Sequence, residues 1–334
     1  MLLDLPGAVV IRHDIDPEAG TLRRLVHNAG GTIEDRTREL AHACLGCALR
    51  EDIVPAIREA TLRRPPAIVL ALPVTAEPVP VLRALTELSD EGLIAVGAVL
   101  TALEAGDVAW DVCGDDLLRE RGLALSADDE RSLGEVLARQ IEGADVVVSD
   151  RPFDALGDAL VDHLTPPATS RMLLHEVEAA SLLATIDRED LLRRGDPVSV
   201  TPSECAPREG VWTVELESWR PFHPGRLREN LEALGAGPGR SRGVFWLPTR
   251  PDLVCHWDGA GGQLSLGNHS TWTGVGCRAC TRLVVTGVDG EPADLARAFE
   301  KTLLTDAELA AGLAGWAGKD DGFDPWLGER RGAA

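Results

Sequence analysis

Two cysteines separated by two residues, in Ala43-Cys44-Leu45-Gly46-Cys47-Ala48-Leu49-Arg50-Glu51-Asp52, carry the sharpest chemical signal in the chain. A C-x-x-C turn places two sulfurs on one side of a loop, within reach of a single ion. Thiolates at about 2.3 Å suit zinc or a similarly soft metal. The same spacing serves a dithiol redox pair, whose cysteines open a helix after a strand, so the motif alone leaves both chemistries open. A second pair, Cys277 and Cys280, stands just before an apolar run at 282–288. With Cys255, His256 and His269 as further candidates, it could build a four-ligand tetrahedral site; the plain alternative is a hairpin edge with incidental small residues. His223, between Phe222 and Pro224, reads as structural at a strand-to-helix turn.

Composition narrows the function classes. In 334 residues, 33 Lys and Arg face 54 Asp and Glu, a formal net charge of −21. Phosphate neutralisation needs clustered basic residues, so direct binding to nucleic acid or to an anionic membrane is disfavoured. No apolar run reaches the ~18 residues of a membrane span. The start, Met1-Leu2-Leu3-Asp4-Leu5-Pro6, has no basic segment and no long apolar segment that would mark export, so a cytoplasmic location is expected. In a reducing compartment, close cysteine pairs read as metal or redox sites rather than disulfides. Only two lysines occur, Lys301 and Lys319, which excludes any mechanism that needs an earlier lysine.

The elements that must position these residues alternate in type. Short β-branched runs predict strands over 8–11, 67–72, 93–100 and 144–148. Helical periodicity predicts helices over 50–62, 79–88, 127–141 (opened by Ser126) and 171–183. Such alternation predicts an α/β fold with a mostly parallel, doubly wound sheet. A stretch with three prolines at 193–209 reads as a linker, and seven of the eight tryptophans follow residue 210. Strands over 211–217, 243–247, 253–257, 263–266 and 282–288, with helices over 224–234 and 292–303, predict a smaller α+β domain at 210–312. The remainder, 313–334, reads as an acidic tail that frays.

The first cysteine pair, followed by Leu49-Arg50-Glu51-Asp52-Ile53, resembles the CobW-like GTP-binding proteins, whose signature is C-x-C-C, then Thr or Ala, an aliphatic residue, Arg and an acidic residue before a helix. Cys44 and Cys47 match the outer cysteines, and Gly46 replaces the middle one. Ile68 to Pro78 stands where the family carries its Walker-B segment, and Gln140 to Val148 resembles the helix and strand leading into its guanine-reading motif. Closer still to the family's C-terminal domain are Arg220-Pro221-Phe222-His223-Pro224, Gly243-Val244-Phe245-Trp246-Leu247 with Thr249-Arg250-Pro251-Asp252, and Leu304-Thr305-Asp306-Ala307-Glu308-Leu309. The resemblance implies a degenerate P-loop-like GTPase domain over 1–192, followed by the C-terminal domain, and a zinc metallochaperone or accessory role.

The departures decide what carries over. A P-loop needs G-x-x-x-x-G-K-[ST], whose lysine neutralises phosphate charge and whose hydroxyl holds magnesium; no such segment is present. Leu234 to Ser241 is glycine-rich but reads as a turn, with Leu and Arg at the decisive positions. The family's P-loop and its strand would lie before the strand at 8–11. A chain start upstream of Met1 is one expectation, and a gap with unpaired backbone on the flanking strands is the other. The Walker-B acid falls on Ala71, and Asp150-Arg151-Pro152-Phe153 takes the place of Asn-Lys-x-Asp. Nucleotide hydrolysis is therefore expected to be weak or lost, with any GTP/Mg2+ contact resting on Asp14, Asp150 and Arg151. Zinc is expected at Cys44 and Cys47, with Cys277 and Cys280 as a second candidate pair. A client or partner protein is implied. The rival reading is an adaptor that docks a partner through its Trp- and Arg-rich C-terminal domain, and a third is a thiol-redox protein.

Overall fold

The computed structural model describes residues 4–40, 44–126, 128–183, 188–235, 237–316 and 319–329. In chain order the elements are β1 Val9–Asp16, β2 Thr21–Asn28, β3 Gly31–Glu39, α1 Leu45–Ala48, a π-helical turn Leu49–Ile53, α2 Val54–Thr61, β4 Ile68–Ala71, α3 Pro78–Asp90, β5 Leu100–Leu103, α4 Val108–Cys113, α5 Leu133–Glu142, β6 Val146–Ser149, α6 Ala155–Leu164, β7 Ser170–Leu173 and α7 Arg188–Arg194. There follow β8 Val211–Ser218, α8 Pro224–Gly235, β9 Gly239–Leu247, β10 Arg250–Ala260, β11 Gln263–Thr271, α9 Trp272–Val275, β12 Thr281–Val288, α10 Pro292–Thr302, α11 Asp306–Ala310 and α12 Asp324–Leu327. They form two compact units: Met1–Ala105, Asp116–Phe153 and Thr165–Leu192 in one, and Gly106–Asp115, Asp154–Leu164 and Arg193–Ala334 in the other.

The first unit is α/β, with its strands in two sheets. One has the order β3-β2-β1-β4, antiparallel through the β1–β2–β3 meander and parallel at β1–β4; the other, β5-β6-β7, is wholly parallel. β6, flanked on both sides, reads Val-Val-Val-Ser and is buried throughout, as expected of a strand covered on both faces. β4, equally apolar as Ile-Val-Leu-Ala, is half-buried along its whole length because it closes its sheet. Among the described residues, β4 and β5 each end a sheet and do not pair with one another.

β2 and β3 went unpredicted because Arg24 takes an inward position between Leu22 and Val26, breaking the apolar alternation. β3 is a charged edge strand, a composition that suppresses pairing with other chains. The strand expected at 93–100 is formed only from Leu100, since the Asp145 carboxylate accepts the Val99 N–H (2.9 Å) and occupies that backbone. The helix expected from 127 starts at Leu133, capped by Ser132 rather than Ser126; Ala127 lies outside the described residues. Asp129, bonded to the Leu125 N–H and to the Arg131 guanidinium, ties the preceding segment into a turn instead. The helix expected over 171–183 is replaced at its start by β7, whose pairing with β6 outweighs local propensity.

The second unit is α+β, built on the antiparallel sheet β11-β10-β9-β12-β8. Phe222, Phe245, Trp257, Phe299 and Phe323 fill its main core. β9 and β12 approach so closely that a Cβ on Gly243 would stand 2.0 Å from the Arg282 carbonyl oxygen, at φ +152°. The expected fraying beyond 313 is not what residues 319–329 do. Phe323 and Leu327 enter the core, and the Asp321 carboxylate receives the Arg250 Nε at 2.9 Å and the Thr249 hydroxyl at 2.7 Å. A buried arginine needs a counter-charge, and the tail supplies it.

Candidate metal centre

Cys44 takes an extended backbone (φ −144°, ψ 157°) and acts as the N-cap of α1, its Sγ accepting the Cys47 N–H at 3.4 Å. The α1 helix runs without a break through the π turn into α2, so the pair opens a helix that continues to Thr61. Cys44 is half-buried, whereas Cys47 is 6% exposed. Hydrogen bonding to Cys44, then burial, pushes the Cys47 thiol up, while the Arg50 guanidinium, 3.6 Å from its sulfur, opposes that shift. The two expected ligands are thus brought together, one behind the other.

The π turn has a consequence for what lies behind the pair. By taking five residues for one turn, it directs Leu49, Asp52 and Ile53 inward together; such turns frequently mark functional sites. The Asp52 carboxylate receives His13 Nε2 at 3.0 Å, Arg24 Nη1 at 3.1 Å and Arg38 Nη1 at 3.3 Å, from β1, β2 and β3 in turn. Arg24 also donates to Glu34 (2.7 Å), and Arg38 to the Glu51 carbonyl (2.6 Å). Burial works to raise the Asp52 carboxyl, but His13, Arg24 and Arg38 together hold it below the usual carboxylate range. His13 is fully buried, and its Nδ1 has no hydrogen-bond partner. This cluster anchors the helix that carries the cysteines to three strands. Sequence reasoning noticed Asp52 as part of a motif but missed His13, Arg24 and Arg38. The signal was there for His13, which falls in the inward phase of β1 with Val9 and Ile11.

The other expected site residues fare differently. Cys277 is exposed and Cys280 half-buried, on the loop between α9 and β12; burial, then the neighbouring Cys277, pushes the Cys280 thiol up. Cys255 is fully buried with its thiol pushed up to about 12, and His269 pairs with Asp196 at 3.3 Å. Among the described residues, no three His, Cys, Asp or Glu groups assemble into a metal cage around either pair; His42, near Cys44 in sequence, lies outside them. Asp14 lies on β1 in an exposed ion pair with Arg12. Asp16 caps its own turn by accepting the Glu18 and Ala19 amides. Asp150 accepts the Ala105 N–H at 2.9 Å, which holds its carboxyl low, and Arg151 is exposed beside it. Asp14 thus lies on β1 and Asp150 just past the end of β6, which belongs to the other sheet. The segment after β4 is tied down internally: Glu77 binds Arg131 and Arg139, and Gln140 donates to the Val74 and Ala76 carbonyls. His223 accepts the Arg226 N–H and meets Trp316 edge-on, a structural role as expected.

Residues 211–303 match the family model described as the cobalamin synthesis protein cobW C-terminal domain. The chain is 28% identical to the zinc chaperone Rv0106 of Mycobacterium tuberculosis, the match covering 97% of this chain and 89% of that protein. It is 22% identical to the zinc-regulated GTPase metalloprotein activator 1 of Dictyostelium discoideum, over 70% of this chain and 54% of that one. Among solved structures, the Zn(II)-bound YjiA GTPase from E. coli is similar over 88% of this chain and 89% of its own, at 14% identity and a TM-score of 0.35. Residues 211–303 therefore form a domain of the cobW C-terminal type, and the similarity to the zinc chaperone runs along nearly the whole chain.

Proposed function

We propose that this protein handles zinc, holding it through the Cys44 and Cys47 thiolates and passing it to a client protein, with nucleotide hydrolysis weak or lost. The observation that carries the reading is the pairing of the two sulfurs at the start of a helix, with Cys44 half-exposed and the helix anchored from behind by Asp52. Two thiolates form half of a tetrahedral zinc shell. An incomplete protein shell suits cargo that must be released, because remaining positions stay open to a client's own ligands. The relatives above are named a zinc chaperone and a zinc-regulated activator, which supports the same reading. Weak or lost hydrolysis is supported by Ala71 at the Walker-B acid position and by Asp150–Phe153 in place of Asn-Lys-x-Asp.

The test is competition for zinc with a chromophoric chelator, on the unaltered chain and on Cys44→Ser/Cys47→Ser, each with and without GTP. Binding that disappears in the double variant and is indifferent to GTP is the expected result. Binding retained in the double variant would move the site to Cys277 and Cys280, and no binding at all would leave the adaptor reading.

A further inference from the structure

We propose that Cys44 and Cys47 also form a reversible disulfide by exchange with a low-molecular-weight disulfide, Cys44 attacking and Cys47 resolving. Three observations lead there. The Cys44 sulfur folds back to 3.4 Å from the Cys47 backbone nitrogen, two bonds from the Cys47 Cβ. Residues three apart on a helical turn stand about 5–6 Å apart at Cβ, and the extended N-cap backbone lets the first side chain close toward the ~3.5–4.5 Å that a disulfide requires. Access is asymmetric: Cys44 is half-buried and Cys47 only 6% exposed, so a reagent reaches Cys44 more readily than Cys47. The helix behind them is fixed by the Asp52 cluster, which keeps the second sulfur beside the first throughout.

The chemistry balances as two exchanges. Cys44, having given its proton to solvent, attacks one sulfur of the reagent R–S–S–R; the reagent's S–S bond breaks and RS⁻ leaves, taking up a proton. Cys47 then loses its proton and attacks Cys44 Sγ, the mixed S–S bond breaks, and a second RSH leaves. The dithiol is oxidised by two electrons and the reagent is reduced to two thiols. The inference shares residues with the zinc reading but not its chemistry, and it can fail or hold independently.

The experiment uses the full chain, stripped of metal and held in a glutathione redox buffer. It is quenched with acid, alkylated and mapped by peptide mass. The expected product is a peptide containing Cys44 and Cys47 that has lost two hydrogens and carries no glutathione. Cys47→Ser should trap glutathione on Cys44, whereas in Cys44→Ser the buried Cys47 should react at least about tenfold more slowly. Both thiols surviving in the most oxidising buffer, glutathione retained on Cys44 of the unaltered chain, or Cys47 reacting as fast as Cys44 would overturn the proposal. A chain that closes the disulfide but binds no zinc refutes only the zinc reading.

Discussion

Replacing Asp52 by alanine should loosen β1 and β2 by roughly 3 kcal/mol while leaving the C-terminal unit untouched. The magnitude comes from what the carboxylate holds. Its side chain is 4% exposed, those of His13 and Arg24 are 0% and 7% exposed, and Arg38, at 35%, can turn to water. Removing one member of a buried pair costs about 3–5 kcal/mol, because the partner's charge is left unpaired. Arg24 keeps Glu34 at 2.7 Å, which places the expected loss at the lower end. The suitable assay is native-state hydrogen exchange on peptides spanning 9–28, since all eight tryptophans belong to the second unit and fluorescence would not see the change. At ~1.36 kcal/mol per decade, the slowest amides beside the buried Ile11 and Leu22 should exchange about a hundredfold faster. Asp52→Asn, which keeps acceptor capacity, should show a smaller effect. An acceleration of less than about fivefold in the alanine variant would refute the claim that this carboxylate anchors the helix to the strands. The pH dependence follows the same logic. The Asp52 carboxyl is held low in the folded state, so its contribution is fully present above its unfolded pKa and is lost as pH falls through the folded value.

Two further outcomes are expected in the C-terminal unit. Asp321→Ala should cost about 3 kcal/mol, read as a lowered urea midpoint by tryptophan fluorescence, because Arg250 (side chain 4% exposed) would be left with the partly exposed Asp324 and the Leu327 and Gly328 carbonyls. In a 13C-detected titration, Glu308 should ionise at about 2, held down by the hydrogen bond from Arg226; Arg226→Ala should return it toward the ordinary carboxylate range, and an unchanged value would contradict that cause. Because this carboxyl is depressed, its stabilisation is present above its unfolded pKa and is lost as pH falls toward 2.

Much of the architecture was legible because its signals are local. The strands and helices of the C-terminal domain follow periods of two and 3.6 residues, and those periods survive any choice of neighbour. Two of the misread elements in the first unit, β2 and β7, turn on a partner farther along the chain. Arg24 is tolerable inside β2 only because Glu34 and Asp52 meet it. The 171–173 segment becomes a strand only because β6 lies beside it.

The candidate site divides in the same way. The sequence by itself determined that two thiols stand three positions apart, that an acidic residue follows them, and that Ala71 stands at the Walker-B acid position. Tertiary structure alone decided that Cys44 is the more exposed of the two cysteines, that Asp52 faces inward and gathers His13 from 39 residues away, and that Arg250 recruits Asp321 from 71 residues away. The physical reason is that a buried charge is stable only beside its counter-charge, and which residues meet is set by how the strands pair and the helices pack upon them, not by the spacing along the chain.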